Sequence, residues 1–360
     1  MSRAADAPET AAVRAGEQLD WGALSAYLRS RIDHLGAQPE PMEVLQFPNG
    51  SANLTYLLRF GDLELVLRRP PFGTIAPGAH DMKREHKVLS KLWAVFSPAP
   101  RAYLFCDDHD VIGSDFVVME RRVGEVIRDS LPASMEGLPD VGRRLGFALV
   151  DAMAELHLVD ADAAGLSMLG RPEGFTARQV SGWANRWSLV RPEDGPPLMD
   201  SLPSRLEATM PAPTRVSIVH NDLKLDNCQF QAGQPDRVHS IFDWDMTTLG
   251  EPMIDLGTLL NYWPDPSDPP DERRISHEGM ATMGLPTRAE VVARYAERTG
   301  IDCSASAWYE AFAQWKTGVV IQQLHNRWVR GESTDPRMER IADRLPVLAR
   351  KASELLNHLA

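Results

Sequence analysis

The apolar residues of this chain change their spacing once, and that change constrains the fold more than any other feature. Up to Glu120 they come in short strand-length runs bounded by Gly, Pro, Asn and Asp; from about Gly124 they recur mainly at helical spacing. Strands gathered in one part and helices in another predict an α+β fold. Five strands are expected, at Val44–Phe47, Asn53–Phe60, Leu63–Arg69, Arg101–Cys106 and Phe116–Glu120. Gly61-Asp62 is a two-residue hairpin connection, and Pro48-Asn49-Gly50-Ser51 makes the preceding turn. A helix over about Asp81–Phe96, with Met82, Val88, Leu89, Leu92 and Val95 on its apolar side, is inserted into this antiparallel sheet. Another helix, carrying Trp21, Leu24, Tyr27, Leu28 and Ile32, opens the fold. The first 18 residues, rich in Ala, acids and Arg, read as a flexible tail.

The second part is larger. Helices are expected at Val141–Leu158, Thr176–Val190, Leu202–Met210, Met253–Tyr262, Arg288–Thr299, Ala305–Trp328 and Pro336–Leu359. A compact β segment interrupts them, with strands at Arg215–Val219, Cys228–Phe230 and Val238–Phe242. Pro-rich stretches at Arg191–Pro203 and Trp263–Pro270 read as long loops. Trp308, Tyr309, Phe312, Trp315 and Trp328 fall at helical spacings and read as core. The expected organisation is a tail (1–18), an N-terminal lobe (19–122) and a helical C-terminal lobe (123–360), with a ligand cleft between the lobes.

Chemistry concentrates in one stretch. An apolar strand ends in His220-Asn221-Asp222-Leu223-Lys224-Leu225-Asp226-Asn227, and a second apolar strand then ends in Asp243-Trp244-Asp245. Hairpin geometry can bring the end of the second strand beside the loop after the first. Phosphoryl transfer needs a carboxylate to take or orient a hydroxyl proton, oxygen ligands for Mg²⁺, and a cation for the charge on the transferring group. Asp222 suits the first task, Asn227 and Asp243 the second, and Lys224 the third. Asp245 is open between a second metal contact and a solvent-facing charge.

The His-x-Asp-x₄-Asn spacing, with an Asp sixteen residues on from Asn227, resembles the catalytic loop of the protein-kinase-like superfamily. Ile241-Phe242-Asp243-Trp244-Asp245 and Gly250-Glu251-Pro252-Met253-Ile254-Asp255-Leu256 are similar to the aminoglycoside phosphotransferase and choline kinase branch. Leu67-Arg68-Arg69-Pro70-Pro71 and Trp315-Lys316-Thr317-Gly318-Val319 most resemble kinase-like domains associated with acyl-CoA dehydrogenases. The resemblance implies a two-lobed protein-kinase-like fold using ATP, or GTP, with Mg²⁺. It implies that Asn49, Gly50, Ser51 and Asn53 cover the phosphates, and that Arg68 and Glu85 form the strand–helix ion pair. Met119 and Glu120 would be the hinge that takes the adenine. His220 would brace the catalytic loop, and Asp255 would hydrogen-bond its backbone. Arg68 stands where the usual residue is Lys, and its planar fork imposes a different geometry.

The expected activity is transfer of phosphate to a hydroxyl of a small molecule, with a protein kinase and a nucleotide-binding pseudokinase as the rivals. Only eleven residues separate Asp243 from Asp255, too few for the activation segment of a protein kinase. A net charge of −12 argues against nucleic acid or anionic membrane as partner. Three dispersed cysteines fit a reducing, cytoplasmic setting. For the acceptor, an aminoglycoside would want carboxylates such as those of the Asp265, Asp268, Asp271, Glu272 loop. An acyl-CoA would want cations such as those of the C-terminal helices. The resemblance favours a hydroxyacyl-CoA or another hydroxylated metabolite and a link to acyl-CoA metabolism.

Overall fold

The computed structural model describes residues 9–36, 39–48, 53–73, 81–270, 272, 278–333 and 335–359. Asn49, Gly50, Ser51 and Asp271 lie outside the described residues. Helix α1 (Trp21–Arg31) and a single turn, α2 (Asp33–Gly36), precede strands β1 (Met42–Gln46), β2 (Leu54–Phe60) and β3 (Leu63–Arg69). Helix α3 (Met82–Leu92) follows, then β4 (Ala102–Cys106), a turn α4 (His109–Ile112) and β5 (Phe116–Glu120). The sheet is antiparallel in the order β1-β2-β3-β5-β4. Its tightest turn is set by Gly61: Phe60 pairs with Leu63, and Gly61 takes φ +59°, which a residue without Cβ adopts at little cost. The segment expected as tail is partly laid against this sheet. Ala11 and Gln46 exchange both backbone hydrogen bonds, and the Tyr56 hydroxyl donates to the Glu17 carbonyl.

Helix α3 buries Met82, Glu85, Val88, Leu89 and Leu92, so the helical repeat that seats its apolar side also turns Glu85 inward. Asp81 caps it, accepting from the Arg84 amide. One apolar core lies between α1 and the sheet; the other runs from α3 through the helical lobe.

Beyond the sheet come β6 (Glu125–Val126), α5 (Val141–Leu158), α6 (Phe175–Val190), α7 (Pro197–Ala208), β7 (Ser217–Val219), β8 (Cys228–Gln231), β9 (Gln234–Ile241) and β10 (Thr248–Gly250). Helices α8 (Met253–Tyr262), α9 (Arg288–Thr299), α10 (Ser306–Val329) and α11 (Leu345–Asn357) complete the chain. Strand β8 pairs with β6 and β9, and β7 pairs with β10. Gly257 lets α8 cross α10 closely, since a Cβ there would sit 2.4 Å from the Tyr309 carbonyl group. Trp308, Tyr309, Phe312 and Trp315 are buried core, as expected, whereas Trp328 is only half-buried.

Three expectations are corrected. The stretch Arg191–Pro203 is not all loop: α7 begins at Pro197 and runs through Pro203. Proline frees the carbonyl four residues back, and the Trp315 indole N–H takes that Met199 oxygen at 3.2 Å. The segment Pro336–Leu359 is not one helix but two 3₁₀ turns followed by α11, because Pro346 fits only the first turn of a helix. Two of the carboxylates expected to suit an aminoglycoside are withdrawn from solvent. Asp268 and Glu272 are buried, and Arg288 grips Asp268 with bonds of 2.5 and 2.7 Å. Lys351 lies 3.4 Å from both acids, and Glu310 lies 3.6 Å from Arg288.

This network locks the loop onto α9, α10 and α11. Arg288→Met, which strands buried carboxylates, is expected to cost about 3–5 kcal/mol in urea unfolding. A loss under 1 kcal/mol would show that the network contributes little.

Candidate active site

The loop after β7 is built on a buried carboxylate. Asp255, in the first turn of α8, accepts from the His220 amide at 2.7 Å, the Asn221 amide at 2.6 Å and His157 Nε2 at 3.1 Å. Burial alone would raise its pKa; the hydrogen bond from His157 and the backbone amides outweigh burial and hold it below the usual carboxylate value. This is the backbone role expected for Asp255. Its stabilisation is present above the unfolded carboxyl value near ~3.9 and is lost as pH falls through the lower folded value. Asp255→Asn is expected to lower stability at neutral pH by about 2–4 kcal/mol and to flatten the decline on acidification. Unfolding midpoints between pH 6 and pH 3 check both, and an unchanged acid decline would count against the assignment.

His220 spans the hairpin. Its Nε2 donates to the Phe242 carbonyl at 2.8 Å, and its Nδ1 accepts from the Asp222 amide at 3.3 Å. A carbonyl only accepts, so Nε2 carries the proton and the ring is occupied at both nitrogens. The imidazole also meets the Trp244 ring edge-on at 4.8 Å. It is a strut, as expected.

Asp222 projects from this frame. Asn227 Nδ2 donates to its carbonyl at 2.8 Å and to its Oδ2 at 3.1 Å; Lys224 Nζ lies 3.1 Å from the same Oδ2. The Asn227 carbonyl accepts from the Phe242 amide at 2.9 Å, which sets Asn227 beside the start of Asp243. Asp243 takes φ +67°, a left-handed conformation that Asp tolerates better than most residues. Asp222 and Asp243 keep 27% and 31% of their side-chain surface exposed, enough for an incoming group to reach them, whereas Asp255 keeps none.

Arg68 on β3 joins the two parts of the chain. Its guanidinium pairs with Glu85 of α3 and, at 2.8 Å, with Asp243 Oδ1. Burial pushes Glu85 up, to about 7, against the pull of Arg68. Burial would lower Arg68, but Glu85, Asp243 and Asp245 more than reverse it. For Asp243, burial is outweighed by the charge and hydrogen bond of Arg68, which hold it below the ordinary range. Lys224 is raised, since Asp222, Tyr262 and Asp226 overcome burial.

The residues expected to act together therefore do meet: Arg68, Glu85, Asp222, Lys224, Asn227 and Asp243 form one connected set, with Asp245 close enough to act on Arg68. Asn53 is buried, with neither amide atom hydrogen-bonded among the described residues. Met119 lies in β5 between Val66 and Ala102, its side chain in the core. The Glu120 carboxylate is engaged by the Arg101 amide and by Arg122 at 3.0 Å. Residues not singled out as part of the site are His157, Tyr262, Trp183 and Lys316. Tyr262 lies under Lys224, 5.1 Å from Nζ to the ring centre, and Lys316 Nζ donates to the Asn221 carbonyl at 3.1 Å. A signal was available for Lys316, which lies in the Trp315–Val319 motif, and for His157, which falls on the apolar side of α5.

No group of three or more His, Cys, Asp or Glu among the described residues is arranged to hold a metal. Mg²⁺ on a nucleotide asks less: one or two protein oxygens beside the phosphates. Asn227 Oδ1, whose amide nitrogen is tied to Asp222, and Asp243 Oδ2, with Oδ1 taken by Arg68, fit that donor set.

A five-stranded antiparallel sheet whose arginine reaches across to a strand-end aspartate, beside a loop presenting a second aspartate and an asparagine, defines a kinase-like phosphotransferase. Residues 43–292 match the Phosphotransferase enzyme family, and the chain belongs to it. Among curated proteins it is 31% identical to acyl-CoA dehydrogenase family member 11 of Rattus norvegicus, over 91% of this chain and 42% of that protein. The chain thus spans about two fifths of the length of this relative. Among solved structures, a protein of Ralstonia eutropha provisionally named an aminoglycoside phosphotransferase is 29% identical, with TM-score 0.78 over 95% of this chain and 99% of that one. Choline kinase of Cryptosporidium parvum shares the fold, with TM-score 0.62 and 13% identity over 94% of this chain and 97% of that one.

Proposed function

We propose that the protein transfers the terminal phosphate of ATP, or of GTP, to a hydroxyl group of a small molecule, with Mg²⁺ bound at the nucleotide. The observation that carries this reading is the clustering of Asp222, Asn227 and Asp243 with the Arg68–Glu85 pair. Asp222 orients the hydroxyl and receives its proton; the acceptor oxygen bonds to phosphorus as the bond to the departing ADP breaks. Lys224 offsets negative charge next to Asp222. Asn227 and Asp243 hold Mg²⁺, which supplies charge neutralisation on the phosphates, and Asp245 reinforces the acidic side of that site. Residues 19–122 serve the nucleotide, through Arg68, Glu85, Asn53 with the turn Asn49–Ser51, and the backbone at Met119 and Glu120. Residues 123–360 supply the catalytic loop, the metal site and the acceptor pocket.

A hydroxyacyl-CoA or another hydroxylated metabolite is favoured over an aminoglycoside. The names of the curated relatives support a link to acyl-CoA metabolism. The burial of Asp268 and Glu272 against Arg288 and Lys351 withdraws two of the four carboxylates named for a polycationic antibiotic. No helix among the described residues is long and apolar enough to cross a membrane, and the three cysteines are buried and free; we place the reaction in the cytoplasm. The test is incubation with Mg·ATP and a pooled panel of hydroxyacyl-CoAs, amino alcohols, sugars and aminoglycosides, with phosphate adducts read by mass spectrometry. Adducts formed by the native chain and not by Asp222→Asn support the reading. Intact Mg·ATP binding with no adduct across the panel would favour the pseudokinase.

A further inference from the structure

The acceptor side of Asp222 carries positive charge that the transfer chemistry does not use. Lys316, in the middle of α10, reaches the loop and donates to the carbonyl of Asn221, the residue immediately before Asp222. Its Nζ also lies 5.6 Å from the centre of the Trp183 ring. On α6, Arg186 stands one turn from Trp183 and places its guanidinium 4.6 Å from the centre of the same ring. Trp183 is 8% exposed, so the indole is a fixed platform shared by two cations. Neither Lys316 nor Arg186 has a carboxylate within ion-pair distance among the described residues. That is notable in a chain with 50 acidic side chains against 38 Lys and Arg. Most cations near the surface of the last helices are paired locally, such as Arg330 with Glu332 and Arg337 with Asp335.

A loop brace alone does not explain this arrangement. Holding one carbonyl takes a single N–H, and an ammonium has three. Burial disfavours the Lys316 charge, and nearby Lys224 and Arg186 disfavour it further, with Asp222 and Asp255 pulling the other way. Cations brought together in a partly dry place raise each other's energy until an anion joins them.

We propose that Lys316 and Arg186, over the Trp183 platform, form an anion subsite that makes the enzyme select acceptors carrying a negative group close to the reacting hydroxyl. This rests on the reading of Asp222 as the residue that faces that hydroxyl. The subsite takes a carboxylate or a phosphate. Because Lys316 is anchored one residue from Asp222, the anion and the hydroxyl belong to the same acceptor molecule and lie close together in space. A cationic acceptor is repelled by the same groups.

The test uses the full chain and four compounds sharing a hydroxylated three-carbon frame: β-hydroxypropionate, β-hydroxypropionyl-CoA, propane-diol and aminopropanol. Binding is measured by calorimetry in the presence of Mg·ADP, so it does not depend on turnover. At least one of the two anionic compounds is expected to bind about ten-fold or more tightly than the neutral and cationic ones. Preference for the free acid assigns a carboxylate subsite, and preference for the thioester assigns the phosphates of the carrier. Lys316→Gln and Arg186→Gln should each reduce the anion preference about ten-fold. Lys316→Gln keeps a donor for Asn221, and Arg186 is exposed, so the second variant tests the subsite even if the first disturbs the loop. Equal binding of all four compounds, binding of none, tighter binding of aminopropanol, or an anion preference unchanged in both variants would overturn the proposal. Phosphorylation of the four is measured separately. Anion preference without turnover would sink the phosphotransfer reading alone, and turnover of propane-diol or aminopropanol with no anion preference would sink this one alone.

Discussion

Asp222→Asn is expected to slow phosphoryl transfer by about 10²–10⁴-fold while leaving Mg·ATP affinity essentially unchanged. The isosteric amide is the informative change. Asn227 and Lys224 both address Oδ2 of Asp222, at 3.1 Å each, and an amide oxygen can still accept from either. What disappears is the ability to take a proton from the hydroxyl as it attacks, together with one of the negative charges that favour the protonated form of Lys224. The loss should therefore fall on kcat, with acceptor KM moving less. A spectroscopic assay of ADP release and a nucleotide titration separate the two quantities. Transfer surviving within a few-fold would remove Asp222 from the reaction.

Asp243→Asn should act differently, lowering both the rate and the affinity for nucleotide, and the second only when Mg²⁺ is present. A metal at a transferring phosphoryl group contributes several kcal/mol, so the rate should fall on the order of 10³-fold. Arg68 sharpens the contrast. Its bond to Oδ1 survives in the amide, and Glu85 remains its other partner, so the link between sheet and helical lobe is weakened but not cut. Nucleotide affinity titrated with and without Mg²⁺ is the measurement. If Mg·ATP binds the variant as tightly as it binds the native chain, Asp243 is not a metal ligand.

Much of this architecture was legible because local signals agreed with the tertiary outcome. Helix α9 begins at a capping box, Thr287 with Glu290, and ends at Gly300 in the left-handed conformation, so both ends were readable from adjacent residues. Strands β3 and β5 and helices α5 and α8 have the expected bounds because the period of their apolar residues is itself a local signal. The meeting of Asp222, Asn227 and Asp243 was readable because it follows from their spacing along one hairpin. The failures have a common physical cause, in that each depends on a partner distant in the chain. Pro203 breaks no helix because the Trp315 indole N–H donates to the freed Met199 carbonyl. Strand β10 is three residues long and exists through its pairing with β7. The burial of Asp268 depends on Arg288 and Lys351, which reach it from two other helices. Lys316 could be seen as part of a motif, but nothing in the local sequence placed it against Asn221 and Trp183.

The left-handed backbone at Asp243 has a consequence for how this activity could be lost over generations. Asp, Asn and Gly are among the few residues that sit at φ +67° without substantial strain. Both Asn and Gly are one base change from an aspartate codon. Under the role proposed for Asp243, one such step removes phosphate transfer while the left-handed backbone at this position stays unstrained. Silent members of such a lineage should be recognisable by an amide or a bare backbone at this position, in chains that are otherwise sound and ready to be recruited for binding alone.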